Sequence, residues 1–171
     1  MSKLEYIANI LDPHFKQEYL SKFIESQANM EIEFISERQK FLSFTFDRSL
    51  SKKDFPKGLF PFFNRGEAKV TSFCDYIIFT EFGTDLFILL IELKKGNDKV
   101  TEQLNAGKCF ADYVISTVNR VYNNNINPKI RLISIRERHI KPKQKQKEIE
   151  YDASNFHTFS SSKFRLKSYL K

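Results

Sequence analysis

Apolar and polar residues alternate along the middle of the chain with the two-residue period that is typical of β-strands. The segments MEIEFISE (30–37) and QKFLSFTFD (39–47) have this period and are rich in Phe and Ile. They predict the two strands of a half-exposed antiparallel hairpin. Further strands are predicted at 70–80 and 86–95. The second contains LFILLIEL, which is so uniformly apolar that both of its faces must be covered, so it belongs at the centre of the sheet.

Helical spacing of apolar residues appears on both sides of these strands. Residues 3–28 have it, with a break at Asp12 and Pro13, and predict a short helix followed by a longer one. Residues 48–69 combine Ser, Asp, Pro and Gly with aromatic side chains and predict a loop with a few buried anchors.

A long amphipathic helix is predicted at about 98–122, with Asp98 as its N-cap. Its predicted apolar stripe comprises Val100, Leu104, Ala111, Val114, Val118 and Val121. Phe110 and Tyr113 on this helix are interpreted as core aromatics rather than base-stacking groups. A strand at about 129–137 follows, and the C-terminal FHTFSSSKFRLKSYLK predicts a last strand or a short helix.

The order of these elements predicts the fold class. A strand, a covering helix and a following strand usually form a right-handed crossover in one sheet. We therefore expect an α/β protein whose mixed sheet is flanked by helices. The 171 residues fit one domain, 1–171, with helices near the N-terminus at about 3–28 and a basic segment at 136–147.

Composition excludes several classes of protein. With 41% apolar and 15% aromatic residues, the sequence is that of a folded protein rather than a disordered one. It has no run of eighteen apolar residues, and MSKLEYIANILDPHF lacks the apolar core of a secretory signal, so we expect a cytoplasmic protein with no membrane partner. Cys74 and Cys109 lack C-x-x-C spacing and are interpreted as reduced, buried thiols.

The excess of positive charge is concentrated in one segment. The formal net charge is +7, and RERHIKPKQKQK (136–147) contains six Lys or Arg residues and one Glu. Such a segment could bind a polyanion, or it could be a solvated loop; charge alone does not choose between them. The candidate nucleic-acid-binding residues are Arg136, Arg138, Lys141, Lys143, Lys145 and Lys147.

The central hairpin has an acidic residue near the outer end of each strand. Its turn, TEFGTDL, carries a Gly at the first central position, which is typical of a two-residue type II′ turn at Gly83 and Thr84. In that register the numbers of facing residues sum to 167, so Asp75 faces Glu92. Their Cβ atoms would be about 4.5–5.5 Å apart, where like charges repel. Lys94 shares this face, because side chains two apart on a strand point the same way.

A divalent cation would remove this repulsion. Mg²⁺ typically binds one or two protein carboxylates, keeps several waters and accepts phosphate oxygens from a substrate. The hairpin therefore predicts a Mg²⁺ site at Asp75 and Glu92, with Mn²⁺ as a substitute ion, and a role in phosphate chemistry.

The pattern Asp75, sixteen residues, Glu92-Leu93-Lys94, followed by a long helix, resembles the PD-(D/E)XK nuclease superfamily. The resemblance covers roughly residues 70–137 and implies a restriction-endonuclease-like core. It implies that Asp75, Glu92 and the Leu93 carbonyl bind Mg²⁺ and that Lys94 orients or deprotonates the attacking water. It also implies a catalytic role for Gln103, early in the next helix, near the substrate phosphate.

The chain departs from the family pattern in three places. Cys74 stands where many members have Pro before the Asp, and Gly107 stands where some exonuclease branches have a Tyr four residues after Gln103. The acidic residue that the first helix usually supplies is not assigned, so one and two metal ions both remain open. The candidates for it are Glu18, Glu25, Glu37 and Glu67.

Other catalytic chemistries find little support in the sequence. His14, His139 and His157 are scattered, no Ser or Cys has a recognisable nucleophile setting, and no phosphate-binding glycine loop is present. The leading hypothesis is a Mg²⁺-dependent nuclease, DNA favoured, of the kind found in phage defence or DNA repair. The alternatives are a catalytically inactive nuclease-fold protein that binds nucleic acid or a protein partner, and an interaction protein whose exposed aromatic residues dock another chain, either a protein partner or a second copy in a homodimer.

Overall fold

The computed structural model describes residues 1–26, 29–46, 53, 60–64, 66–95, 99–136 and 149–171, apart from the side chain of residue 159. Within these ranges the fold is a mixed α+β arrangement of two sheets and two α-helices. The strands are β1 (Lys16–Gln17), β2 (Lys22–Glu25), β3 (Met30–Ile35), β4 (Phe41–Phe44), β5 (Tyr76–Phe82), β6 (Asp85–Lys94), β7 (Lys129–Arg136), β8 (Phe156–Ser160) and β9 (Lys163–Arg165). The helices are α1 (Lys3–Ile10) and α2 (Thr101–Tyr122).

The larger sheet has six strands in the order β1-β4-β5-β6-β7-β8. The pairs β1–β4, β4–β5 and β5–β6 are antiparallel, whereas the pairs β6–β7 and β7–β8 are parallel. Helix α2 connects the parallel strands β6 and β7, so the predicted crossover is present. β6 is central, and eight of its ten residues are buried, as the LFILLIEL pattern predicts.

The central hairpin has the predicted register. Tyr76 faces Ile91 and Phe82 faces Asp85, so the numbers of facing residues sum to 167. Gly83 has φ +61°, and Thr84 is not among the described residues with positive φ, as a type II′ turn requires. The first strand begins at Tyr76, later than the predicted start at residue 70, because residues 70–75 are turn and coil.

The two α-helices lie on one face of the larger sheet. Apolar residues of α1 and α2 pack there with alternate residues of β5 and β6, and Leu4, Ile77, Leu90 and Leu104 are among them. Ser2 and Glu5 form a capping box that fixes the start of α1.

The opposite face of the larger sheet is covered by the smaller one. This second sheet has the order β2-β3-β9, with β2 antiparallel and β9 parallel to β3. Phe23, Phe34 and Phe164 from its three strands pack with Ile78, Leu89 and other residues of the larger sheet. The two cores explain why β6 is apolar on both sides.

The second N-terminal helix, predicted within residues 13–28, is wrong. Pro13–Phe15 form one 3₁₀ turn, and strands β1 and β2 follow. The helical spacing is coincidental: Phe23 is buried, whereas Tyr19 is 92% exposed and Ile24 is 51% exposed. Antiparallel pairing of β2 with the next strand, β3, and the burial of Phe23 outweigh the local preference for helix.

The predicted hairpin of residues 30–47 is also wrong, although both of its strands exist. β3 belongs to the smaller sheet and β4 to the larger one. Glu37 and Arg38, between them, both have positive φ, at 55° and 65°. The chain therefore crosses from one layer to the other instead of folding back.

Smaller differences concern exposure and the ends of elements. Cys74 is buried, but Cys109 is exposed, contrary to prediction. Val121 and Tyr113 are 50% and 70% exposed, so neither is a core residue of α2. Helix α2 begins at Thr101 after Val100, and the predicted cap at residue 98 lies outside the described residues.

Candidate active site at the end of the central hairpin

The predicted site residues lie at one end of the larger sheet, on the face covered by α2. Asp75 directly precedes β5, and Glu92 and Lys94 are near the C-terminal end of β6. The parallel strand β7 adds Ser134 opposite Glu92 and Arg136 opposite Lys94. Carboxyl ends of neighbouring parallel strands are the usual place for ligand sites in such sheets.

A hydrogen bond connects Asp75 and Leu93 at the end of the hairpin. The backbone N–H of Leu93 donates to Asp75 Oδ2 at 2.7 Å, and Asp75 is only 8% exposed. Thr45 Oγ1 donates to the Asp75 carbonyl at 2.6 Å from the neighbouring segment. These bonds fix both the backbone and the carboxylate of Asp75 beside Glu92. The Leu93 side chain is buried in the opposite core, as its place in the strand predicts.

Glu92 is a buried carboxylate with one uncompensated oxygen. It is 3% exposed, and its Oε2 has no hydrogen-bond partner within the described part of the chain. Burial raises the pKa of Glu92 to about 7, although Lys94 and the Asp75 backbone N–H partly oppose this. A buried carboxylate oxygen without a partner is costly, so the site suits a positively charged or hydrogen-bonding occupant.

Lys94 completes the predicted catalytic group. Its Nζ lies 3.1 Å from Glu92 Oε1, and its side chain is 27% exposed, so it is accessible from the solvent. This ion pair leaves the second oxygen of Glu92, Oε2, without a hydrogen-bond partner in the described part of the chain. Asp75, Glu92 and Lys94 are therefore together, as the hairpin register predicts.

One of the four unassigned acidic residues is electrostatically coupled to this site. The charge of Glu25, at the end of β2, raises the pKa of Glu92. Glu37 instead pairs with Arg165 at 3.7 Å, and Glu18 and Glu67 are exposed. Within the described ranges, however, no three His, Cys, Asp or Glu side chains are close enough to hold a metal ion.

Gln103 lies in the first turn of α2, half-buried. One turn later Gly107 packs directly against the sheet: a Cβ at Gly107 would lie 2.6 Å from Cys74 Sγ. This close approach brings the N-terminal part of α2, and Gln103 with it, to the end of the sheet that carries Asp75. An exposed ion pair between Lys69 and Glu102, 2.6 Å, also holds this part of α2.

Of the predicted nucleic-acid-binding residues, only Arg136 is described. It ends β7, is half-buried, and lies beside Lys94 in the ladder. Five others lie outside the described residues: Arg138, Lys141, Lys143, Lys145 and Lys147. The basic segment therefore starts next to the candidate site.

Sequence reasoning missed Ser134 and Gly107 as residues of this site. Ser134 is a lone polar residue in the buried run of β7, a signal that could have been noticed. Its pairing with Glu92 could not, because the register of parallel strands is not set by a turn. Gly107 could have been flagged as a glycine inside a predicted helix, where it marks close packing.

Comparison of the chain with protein-family models, with curated proteins and with solved structures gave no significant match. In the parts of the chain that are described, neither helix is long and apolar enough to cross a bilayer.

Proposed function

We propose that this protein is a divalent-metal-dependent nuclease that hydrolyses phosphodiester bonds, DNA favoured, with a PD-(D/E)XK-like site. The observation that carries the proposal is the buried pair Asp75 and Glu92, with the bare Oε2 of Glu92 and Lys94 alongside. The order of hairpin, helix α2 and strand β7 is consistent with a restriction-endonuclease-like core.

The donor set suits Mg²⁺. Both acidic groups offer hard oxygen atoms, and Mg²⁺ is bound in many sites through one or two carboxylates. Asp75 and Glu92 would hold the ion, together with the Leu93 carbonyl that the resemblance implies. When bound, Mg²⁺ supplies charge stabilisation at the phosphate and a more acidic water.

The chain's own groups would then position the substrate. Lys94 Nζ, held by Glu92 Oε1 at 3.1 Å and open to solvent, orients the attacking water by donating a hydrogen bond. Gln103 contacts the phosphate from the first turn of α2. Arg136 and the basic segment hold the flanking phosphates without reading the sequence.

The direct test is cleavage of single- and double-stranded DNA and of RNA by the purified protein, with and without Mg²⁺ or Mn²⁺. We expect wild-type cleavage that requires the metal ion, and a loss of at least about a hundredfold in Glu92→Ala and Lys94→Ala, as is typical when an electrostatic catalytic group is removed.

A matched control is available at the opposite end of the same hairpin. Asp85 and Lys129 form an exposed ion pair of 2.6 Å. Asp85→Ala and Lys129→Ala remove the same kinds of charge far from the site and should keep wild-type activity. Equal activity in wild type, Glu92→Ala and Lys94→Ala would contradict the proposal.

A second candidate is a nuclease-fold protein that binds nucleic acid without cutting it. Two observations favour it: Asp75 Oδ2 is already engaged by the Leu93 N–H, and no third acidic, His or Cys side chain joins the pair within the described ranges. This candidate predicts salt-sensitive binding of nucleic acid with no cleavage in Mg²⁺ or Mn²⁺.

A further inference from the structure

Ser134 is a polar residue in the buried run of β7, whose other members are apolar. It lies in β7 between Ile133 and Ile135, and all three residues are fully buried. Its Oγ has no hydrogen-bond partner within the described part of the chain. A buried hydroxyl without a partner destabilises a protein, so its presence calls for an explanation.

Ser134 lies directly beside the candidate site. It faces Glu92 in the parallel ladder, and adjacent strands are about 4.8 Å apart, so the two side chains are neighbours on one face. Both carry a buried oxygen without a partner in the described ranges, Ser134 Oγ and Glu92 Oε2. The two residues therefore place two uncompensated oxygens on neighbouring strands of one face.

We infer that Ser134 is an additional oxygen donor of the cation site, acting with the carboxylates of Asp75 and Glu92. This inference rests on the proposed function, because it assigns a further residue to the same site. A hydroxyl oxygen is a hard donor of the kind that Mg²⁺ accepts. It also supplies a third side-chain oxygen where the described residues offer no third carboxylate.

The structure provides a matched control in Ser43. This serine is also in a strand of the larger sheet, is 1% exposed, and has an Oγ without a partner within the described residues. It lies in β4, where its ladder partners are Gln17 in β1 and Ile78 in β5. Its side chain is on the face of the sheet opposite Glu92. Ser43→Ala and Ser134→Ala therefore remove equally buried hydroxyls, only one of which adjoins the site.

The experiment measures Mg²⁺ binding by calorimetry, and by the rise in melting temperature as Mg²⁺ is added, at pH 8. Loss of a contact that only supports a metal ligand typically weakens the affinity 10- to 100-fold, so loss of a donor oxygen in Ser134→Ala should raise the apparent Kd about tenfold or more. Ser43→Ala should bind Mg²⁺ like wild type. Without Mg²⁺, Ser134→Ala should melt no lower than wild type, because the change removes an unsatisfied hydroxyl.

The outcomes separate this inference from the proposed function. If Glu92→Ala abolishes Mg²⁺ binding while Ser134→Ala binds like wild type, Ser134 is not part of the site and the proposed metal site stands. If Ser134→Ala melts well below wild type without Mg²⁺ and keeps its affinity, the residue is structural and the inference is wrong. If wild type binds no Mg²⁺, the proposed function and the inference both fail.

Discussion

Glu92 is an acidic residue in the buried part of a central strand. It is almost completely buried, and burial raises its pKa to about 7. A proton and a metal cation therefore compete for the same carboxylate. We expect Mg²⁺ affinity, measured by calorimetry, to increase as the pH rises through 7.

The same pKa makes the stability of the protein depend on pH. The folded-state pKa of Glu92 lies above its ordinary value of 4.5, so the folded state binds the proton more tightly than the unfolded state. The stabilisation is complete below about pH 4.5 and is lost as the pH rises through 7. Without Mg²⁺, Glu92→Gln should therefore lower the dependence on pH between 5 and 8, by a few kcal/mol at most.

Urea unfolding at pH 5 and pH 8 checks this prediction. Glu67→Gln is the control, because Glu67 is an exposed glutamate. If Glu92→Gln kept the full wild-type difference between the two pH values, another group would be responsible for it.

At the level of elements, the packing of α2 on the sheet determines where the first turn of the helix lies. Gly107 is a point of close approach, and Cys74 is the residue it meets, directly before Asp75. The helix stripe around it is buried at Leu104 and Ala111. A side chain at this position would push α2, and Gln103 with it, away from the site.

Gly107→Ala tests this close packing. Alanine favours helix by about 1 kcal/mol over glycine, but overpacking typically costs about 1–3 kcal/mol. We expect a net decrease in stability together with lower activity, measured by urea unfolding and DNA cleavage. The double variant Cys74→Ala, Gly107→Ala removes the sulfur and should recover much of that decrease. A stabilised Gly107→Ala would mean that the sheet accommodates the methyl group freely.

Strand pairing could be predicted from the sequence only where a short turn sets the register. The register of the central hairpin was predictable, because a two-residue turn fixes it and a two-residue period decides which side chains share a face. Asp75, Glu92 and Lys94 followed from that register. β2 was not predictable, because its packing in the smaller sheet overrides an apolar spacing that is typical of a helix. The partner of Glu92 in β7 was not predictable, because β6 and β7 are connected through a helix and not through a turn that sets their register.

At the level of the whole molecule, most of the net charge of +7 comes from one segment of the sequence, residues 136–147. β7 ends beside Lys94, and the basic segment begins there. A polyanion that contacts Arg136 would lie beside Lys94, the neighbour of Arg136 in the ladder. The segment therefore links the overall charge of the protein to its proposed chemistry.

Salt dependence of binding tests this link. Changing Lys141, Lys143, Lys145 and Lys147 to Gln should weaken binding to duplex DNA and reduce the slope of log K against log salt by about 0.9 for each phosphate that is no longer neutralised. The matched control changes four exposed, ion-paired lysines to Gln: Lys22, Lys108, Lys129 and Lys163. An equal effect in both variants would show that only the net charge matters.

A ribosome making this chain exposes β3 long before it makes β9. Residue 33 pairs with residue 163, and between their syntheses nearly the whole of the larger sheet is produced. At about 5–20 residues per second, this interval is roughly 10 s. During it, Ile32 and Phe34 lack one neighbouring strand of their layer. The nascent chain therefore carries an unpaired, apolar strand edge, the kind of surface that chaperones bind and that aggregates recruit.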